Sequence, residues 1–229
     1  MIRNVLILSF ALMWSPCTGV ADLESVVAAT CKISNPQSTA TGILLTTNDG
    51  AVFILSAAHV FEKTTGEHAK VIVHDHSTRT EHTVHLRIDG EPRWRRHATA
   101  DVAILPVSLT GLRTINFDSL GDVHTIRLGE DAWIAGFPAQ LEADASGAPV
   151  VRRGAVASTP LAPTAEHPTF LLSCATAGGD SGAPVVTKSG GLIGLVVGLH
   201  RETTTTTSPT EERTVHRPLD IAIAVHAGI

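Results

Sequence analysis

Three short segments of this 229-residue chain carry side chains that could together activate a serine. An apolar run ends in Ser-Ala-Ala-His at His59, Asp101 precedes another apolar run, and Ser181 lies within Gly-Gly-Asp-Ser-Gly-Ala-Pro. A serine hydroxyl becomes a strong nucleophile when a nearby imidazole accepts its proton, and a carboxylate must orient that imidazole and stabilise its cation. The sequence therefore offers Ser181 as the nucleophile, His59 as the base and Asp101 as the orienting acid.

The glycines around Ser181 meet a further requirement of acyl transfer. The attacked carbonyl oxygen develops negative charge, which needs hydrogen-bond donors already aimed at it. Backbone N–H groups in a tight, glycine-containing turn can supply such donors. Gly179 and Ser181 are the candidate oxyanion-hole residues.

The order of these residues separates the classes of serine hydrolase. His59 comes first, Asp101 follows 42 residues later, and Ser181 follows after another 80. An α/β-hydrolase places its serine first, in a Gly-x-Ser-x-Gly elbow, and subtilisin places its aspartate before its histidine. Both arrangements are excluded by the order.

With these motifs in this order, the sequence resembles the chymotrypsin-like (trypsin-like) serine peptidases. Ser-Ala-Ala-His, Asp-Val-Ala-Ile-Leu and Gly-Asp-Ser-Gly-Ala-Pro match the three signatures of that family over residues 30–199. The resemblance implies two antiparallel six-stranded β-barrels with the active site in the cleft between them. His59 and Asp101 would then come from the first barrel and Ser181 from the second.

The same resemblance implies where a substrate side chain would bind. Ala175 and Thr176 would lie at the base of the primary pocket, and Val197, Gly198 and Leu199 would form one wall. Because no acid lies at this base, we expect a small or apolar substrate side chain. Burial of an apolar side chain in an uncharged pocket contributes only a few kcal/mol to the binding free energy.

One departure from the family pattern concerns Asp180. Many members release a hydrophobic N-terminus that pairs with the acid before the serine, but no Arg/Lys-Ile-Val-Gly-Gly stretch occurs here. The sequence is therefore closer to bacterial members without this zymogen-type activation. The partner of Asp180 stays open at this stage.

Short apolar runs separated by turn residues predict an all-β protein with few helices. Asn48-Asp49-Gly50 between two such runs predicts a hairpin, since these residues tolerate positive φ. We expect a flexible loop at 203–212 and a short C-terminal helix at 221–227 capped by Asp220. The predicted domains are an N-terminal barrel over 22–118 and a C-terminal barrel over 119–229. The predicted strands cover residues 42–45, 51–55, 70–73, 83–88, 102–107, 132–135, 150–157, 170–173, 183–187 and 192–199.

The first 21 residues predict a secretory signal peptide. A positively charged start is followed by an apolar run over 5–14 and by the small residues Gly19-Val20-Ala21. An uncleaved anchor is the alternative, but this run is short for a membrane span. Export to the periplasm or the medium would permit Cys31 and Cys174 to pair, although the sequence leaves their pairing open.

Composition excludes several other classes of protein. With 43% hydrophobic and 17% charged residues, the chain can form a core, so disorder is disfavoured. A net charge of −5 disfavours nucleic-acid binding. His74 and His76 could face one side of a strand, but no cysteine or carboxylate pattern accompanies them, so we expect no metal and no cofactor.

These features together predict a secreted trypsin-like serine endopeptidase that acts on proteins or peptides, with no stable membrane insertion after signal cleavage. Two alternatives remain. One is a catalytically inactive binding module with the protease fold, and the other is a peptidase dedicated to a single partner. The sequence does not reveal the oligomeric state.

Overall fold

The computed structural model describes residues 22–36, 38–75, 78–117, 127–158, 169–207 and 212–226. The predicted signal peptide lies outside these residues. Within these ranges the α-helices are α1 (Leu23–Ala29) and α2 (Ala58–Lys63), and a 3₁₀ helix covers Pro138–Gln140. The strands are β1 (Thr30–Ser34), β2 (Thr39–Thr46), β3 (Val52–Ser56), β4 (His68–Asp75), β5 (Thr78–His85), β6 (Arg87–Ile88), β7 (Glu91–Pro92), β8 (Arg95–Arg96), β9 (Ala103–Val107), β10 (Ile115–Asn116), β11 (Asp131–Gly136), β12 (Val150–Val156), β13 (Thr169–Ser173), β14 (Pro184–Val186), β15 (Leu192–Thr207) and β16 (Glu212–His226).

The first half of the chain forms an eight-stranded sheet in the order β5-β4-β1-β2-β3-β9-β8, with β10 added parallel to β2. Strands β2 and β3 pair as the predicted hairpin, from Ile43 opposite Leu55 to Thr46 opposite Val52. Gly50 in the connecting turn has a φ of 84°, which a residue without a Cβ atom adopts at no steric cost. The fully buried side chains of Ile54 and Phe61 lie in the core of this half. This packing fixes the ends of β3 and α2, where His59 lies.

The second half forms a closed antiparallel barrel in the order β11-β12-β13-β16-β15-β14. Ile134, Phe170 and Leu172 are buried in its core, together with Ala222 and Ala224. Closure removes the unpaired strand edges that an open sheet would expose. The predicted all-β class is confirmed.

Two predictions for the C-terminal region are wrong. The segment predicted as a helix after Asp220 belongs to β16, which pairs with both β13 and β15. Ala222 and Ala224 are buried while Ile221 and Ile223 are half-buried, a period of two that suits a strand. The segment predicted as a flexible loop is largely strand too, because Thr203–Thr207 continues β15 and Thr207 pairs with Glu212. β-Branched threonine favours extended backbone, and this preference outweighs the polarity of the segment.

The helices of the described residues are too short to span a membrane. The two cysteines that the structure describes are free and buried in different halves, Cys31 in the first core and Cys174 in the second. Burial raises the pKa of the Cys31 thiol to about 12 and also raises the pKa of Cys174. Both side chains therefore act as small apolar core residues.

We expect both thiols to be unreactive in the folded protein. A thiol reagent should label neither Cys31 nor Cys174 until denaturant is added, since only the thiolate reacts and both groups are buried. A reductant should leave the melting temperature unchanged. A melting temperature that falls in reductant, or denatured protein with no titratable thiol, would contradict two free cysteines.

Candidate active site

The three predicted motifs meet where the two halves of the molecule face each other. His59 is the second residue of α2, Asp101 lies two residues before β9, and Ser181 lies in the turn before β14. The first two belong to the eight-stranded half and the third to the closed barrel. Residues that are far apart in the sequence are thereby brought within hydrogen-bond distance.

Asp101 holds the start of α2 by three contacts, two of which are to His59. The carboxylate accepts from the backbone N–H of His59 at 3.0 Å and from ring Nδ1 at 2.7 Å. The carbonyl of Asp101 also accepts from the N–H of Ala58 at 3.2 Å. The first N–H groups of a helix have no partner within the helix, so Asp101 both caps α2 and orients the imidazole.

The charge of Asp101 suits this position. Partial burial opposes the charged form, but hydrogen bonds from the ring and backbone of His59 outweigh it and keep the pKa of Asp101 below its usual value. A carboxylate can only accept, so Nδ1 of His59 carries the proton and Nε2 is left as an acceptor. Nε2 lies 2.9 Å from Oγ of Ser181, within reach of the proton that a base must remove.

The turn before Ser181 has the conformation that frees two N–H groups. The carbonyl of Ala177 accepts from the N–H of Asp180 at 3.1 Å, and Gly179 has a φ of 105°, as in a type II turn. The carbonyl of Gly178 accepts from Ala139 at 2.7 Å. Since C=O and N–H point in opposite directions across a trans peptide, the N–H of Gly179 is directed away from Ala139. Across the described ranges, neither this N–H nor that of Ser181 donates to another residue.

Thr41 of β2 anchors the same turn from the other half of the molecule. Its fully buried hydroxyl donates to the carbonyl of Gly179 at 2.7 Å and accepts from the N–H of Phe137 at 3.2 Å. Its backbone N–H donates to the carbonyl of Ser181 at 2.9 Å. Because Thr41 binds both carbonyls, the turn is fixed relative to the half of the molecule that carries His59.

Arg152 of β12 is the partner of Asp180. Two guanidinium nitrogens bind the two carboxylate oxygens at 2.6 and 2.8 Å, and the N–H of Ala177 adds a bond of 2.8 Å. The Asp180 side chain is 1% exposed, so its charge needs this compensation. The partner that the sequence left open is therefore an internal side chain.

A family model described as a trypsin-like peptidase domain matches residues 40–195, well over half of the chain and all three motifs. The chain belongs to the trypsin-like peptidase family. A comparison with curated protein sequences gave no match.

Solved structures show the same fold for this peptidase-family chain. Rv3671c from M. tuberculosis H37Rv, a serine-to-alanine mutant in its inactive form, is 18% identical, with 99% of this chain and 92% of that chain covered and a TM-score of 0.57. The HtrA-type protease AlgW with a tripeptide is 19% identical, with 89% of this chain covered and a TM-score of 0.58. The match spans 58% of the AlgW chain. At these low identities, the similarity shows only that the fold is shared. This is the chymotrypsin-like two-barrel fold.

A cavity of about 290 Å³ lies beside Ser181 of the peptidase domain. Three of the five residues predicted for substrate binding line it, namely Thr176, Gly198 and Leu199. Ala175 does not line it. Val197 does not line it either, because its side chain packs against the core of the first half.

Several residues that build the site lie outside the motifs that the sequence analysis identified. Thr41 and Arg152 lie far from the motifs in the chain, and Arg201, which also lines the cavity, lies two residues beyond the predicted wall. Buried Lys32 belongs to the same group, since its ammonium donates to the carbonyl of Gln140 and to Glu142, both at 2.8 Å. A charged residue at a strand position that alternation places on the inward face is the signal that could have identified Lys32 and Arg152.

The sequence predicts that the protein binds no metal, and the histidines considered for such a site are not members of the triad. In the part of the chain that the structure describes, no three His, Cys, Asp or Glu side chains cluster as a metal site would. His74 is buried and its Nε2 lies 2.8 Å from the carbonyl of Val27. His76 lies outside the described residues.

We expect Arg152→Met to damage both stability and reactivity. Removing one partner of a buried ion pair costs about 3–5 kcal/mol, and the free Asp180 carboxylate would disturb the turn beside it. The free energy of unfolding should fall by about this amount, and labelling of Ser181 by a fluorophosphonate probe should slow at least tenfold. Denaturant unfolding and labelling kinetics measure the two effects.

Arg153→Met is the matched control, because neighbouring Arg153 pairs with Asp131 at the surface. Surface pairs contribute about 0–1 kcal/mol, so this variant should stay close to wild type. The double variant Arg152→Met/Asp180→Asn should recover stability relative to Arg152→Met alone, since no buried charge is left unpaired. Wild-type stability and reactivity in Arg152→Met would contradict this role of the ion pair.

Proposed function

We propose that this protein is an exported serine endopeptidase that hydrolyses peptide bonds through an acyl-enzyme. The observation that carries the proposal is the continuous chain of contacts from Oγ of Ser181 to Nε2 of His59 at 2.9 Å and from Nδ1 to Asp101 at 2.7 Å. Membership of the trypsin-like peptidase family supports the same reaction.

In this mechanism, Oγ of Ser181 attacks the carbonyl carbon of the scissile bond while Nε2 of His59 takes the hydroxyl proton. The C–N bond then breaks, and His59 gives the proton to the leaving amine. A water molecule next attacks the acyl-enzyme with His59 again as the base, which releases the carboxylic product and regenerates Ser181. Asp101 stays ionised and stabilises the His59 cation in both halves of the reaction.

The N–H groups of Gly179 and Ser181 would hold the oxyanion in each tetrahedral intermediate. Both are free of other acceptors in the described ranges, and the turn that presents them is fixed by Thr41 and by the Arg152–Asp180 pair. Donors that are already in place cost no reorganisation when charge develops. This arrangement favours a working peptidase over an inactive binding module.

Proteins or peptides are the proposed substrates. The AlgW structure holds a tripeptide, which supports this class for a chain of the same fold. Beyond Val196, β15 pairs in the described ranges with β16 alone, so its backbone at Gly198 and Leu199 beside the cavity has one open edge. An extended peptide can pair with such exposed strand backbone.

Labelling with a fluorophosphonate probe tests the nucleophile and its base. We expect the wild type to label and to cleave an unfolded, fluorescently tagged protein. Ser181→Ala should lose both activities, and His59→Ala should slow them by about 10⁴-fold or more, because an unassisted hydroxyl is a weak nucleophile.

An exposed serine and an exposed histidine provide matched controls for these variants. Ser189→Ala and His85→Ala remove the same functional groups outside the contact chain and should retain wild-type rates. A folded wild type that neither labels nor cleaves would favour the binding module. Labelling without cleavage of the unfolded protein would favour a peptidase dedicated to one partner.

The export part of the proposal predicts a defined mature terminus. Cleavage after Ala21 keeps Asp22, whose carboxylate accepts from the N–H of Ser25 at 2.8 Å and caps α1. Intact mass measurement of protein recovered from the periplasm or medium should give a chain that begins at Asp22. Leu8→Arg interrupts the apolar run and should block export. Recovery of full-length wild-type protein from the cytoplasm would contradict the signal-peptide prediction.

A further inference from the structure

We propose that the cavity beside Ser181 binds an acidic substrate side chain, with glutamate preferred, on the N-terminal side of the scissile bond. This inference rests on the proposed peptidase function. It differs from the small or apolar preference expected from the uncharged base of the pocket, and the test below distinguishes the two. Three observations on the described residues carry it: a buried hydroxyl that has no partner among them, an acid whose charge is already neutralised, and a basic side chain that pairs with none of their carboxylates.

The unpaired hydroxyl belongs to Thr176. The residue is 8% exposed, and within the described ranges its Oγ1 is buried without a hydrogen-bond partner although the residue lines the cavity. Buried polar atoms are nearly always paired, and an unpaired one costs free energy. An acceptor on a bound side chain would pair with this hydroxyl, whereas an aliphatic side chain would leave it unpaired.

The acid is Asp180, which also lines the cavity. Both carboxylate oxygens are bound by Arg152, and one of them accepts in addition from the N–H of Ala177. Because the charge is matched by that of Arg152 and the side chain is 1% exposed, Asp180 offers nothing further to a cationic ligand. A lysine or arginine side chain would therefore find no carboxylate to bind here.

The basic side chain is Arg201, which lines the cavity from β15 and makes no ion pair with any carboxylate of the described residues. The pairing of β15 with β16 shifts register between Val196 and Gly198 and again between Leu199 and Arg201. Such irregularities redirect side chains. Gly198, Leu199 and Arg201 all line the cavity along this irregular stretch of β15.

Space and charge agree with an acidic side chain of moderate length. A Cβ atom added at Gly178 would meet nothing within 4 Å, and one added at Gly198 would meet only Ile223 at 3.7 Å or beyond. The glycines therefore leave room beside Ser181, and the apolar side chain of Leu199 can contact the methylene groups of a glutamate. The carboxylate would interact with Arg201 and accept from Thr176.

The test compares peptidyl diphenyl phosphonates that differ only in the first side chain: glutamate, glutamine, leucine or lysine analogues. Ser181 attacks phosphorus and expels phenol, so the inactivation rate constant reports binding of that side chain without a need for turnover. Because Arg201 is exposed and its charge is screened, we expect glutamate to exceed glutamine by roughly three- to tenfold. Both should exceed leucine and lysine.

Variants of Arg201 and Thr176 test whether these two residues cause the preference for glutamate. Arg201→Gln should remove the advantage of glutamate over glutamine, whereas Arg217→Gln, an exposed arginine on the adjacent strand outside the cavity, should preserve it. Thr176→Val should slow the reaction of glutamate and glutamine analogues without slowing the leucine analogue. High salt should reduce the advantage of glutamate over glutamine in the wild type.

A fluorophosphonate probe that carries no peptide side chain distinguishes a failure of the acidic preference from a failure of the proposed peptidase function. If it labels Ser181 while the leucine analogue reacts fastest, or while Arg201→Gln leaves the order unchanged, the acidic preference is wrong and the peptidase function stands. If it does not label folded protein, the proposed function is wrong and this inference falls with it.

Discussion

The site depends on one turn in which residues outside it bind the carbonyl groups of Gly178, Gly179 and Ser181, while the N–H groups of Gly179 and Ser181 donate to no other residue in the described ranges. Thr41 binds the carbonyls of Gly179 and Ser181, and Ala139 binds that of Gly178. The Arg152–Asp180 pair holds the turn from within the barrel. A Cβ atom at Gly179 would lie 2.2 Å from the carbonyl oxygen of Phe137, so only glycine permits this approach. The oxyanion hole is thus a result of how the surrounding backbone is bound.

The halves of the molecule must also be held in register, because the 2.9 Å contact between His59 and Ser181 crosses from one to the other. Small displacements of reacting groups cost large factors in rate. Thr41 connects the halves at the turn, and buried Lys32 connects them through Gln140 and Glu142. Burial opposes the charge of Glu142, but Lys32 and Arg79 outweigh it and lower the pKa of this carboxyl. This contribution to stability is complete above the ordinary glutamate pKa and is lost as pH falls through the lowered value.

The all-β class and the candidate triad could be predicted because their signals are local. Turn residues between apolar runs mark strands, and each triad motif is a few residues long. Arg152 gave no such signal, since its partner lies 28 residues away and only the barrel brings them together. The C-terminal strand was missed because apolar residues near 221–225 suit either a helix or a strand. Pairing with β13 and β15 decides between them, and that information is not local.

The position of Arg152 determines when the turn can form. A released N-terminus can bind an aspartate only after cleavage, whereas a side chain on β12 reaches Asp180 as soon as β11, β12 and β14 have paired. The energy that orders the turn therefore comes from folding of the barrel itself. The order of this turn therefore does not require a cleaved N-terminus as the partner of Asp180. The same pair neutralises Asp180 at the cavity beside Ser181, which leaves Arg201 to set the sign of the charge that a substrate side chain meets there.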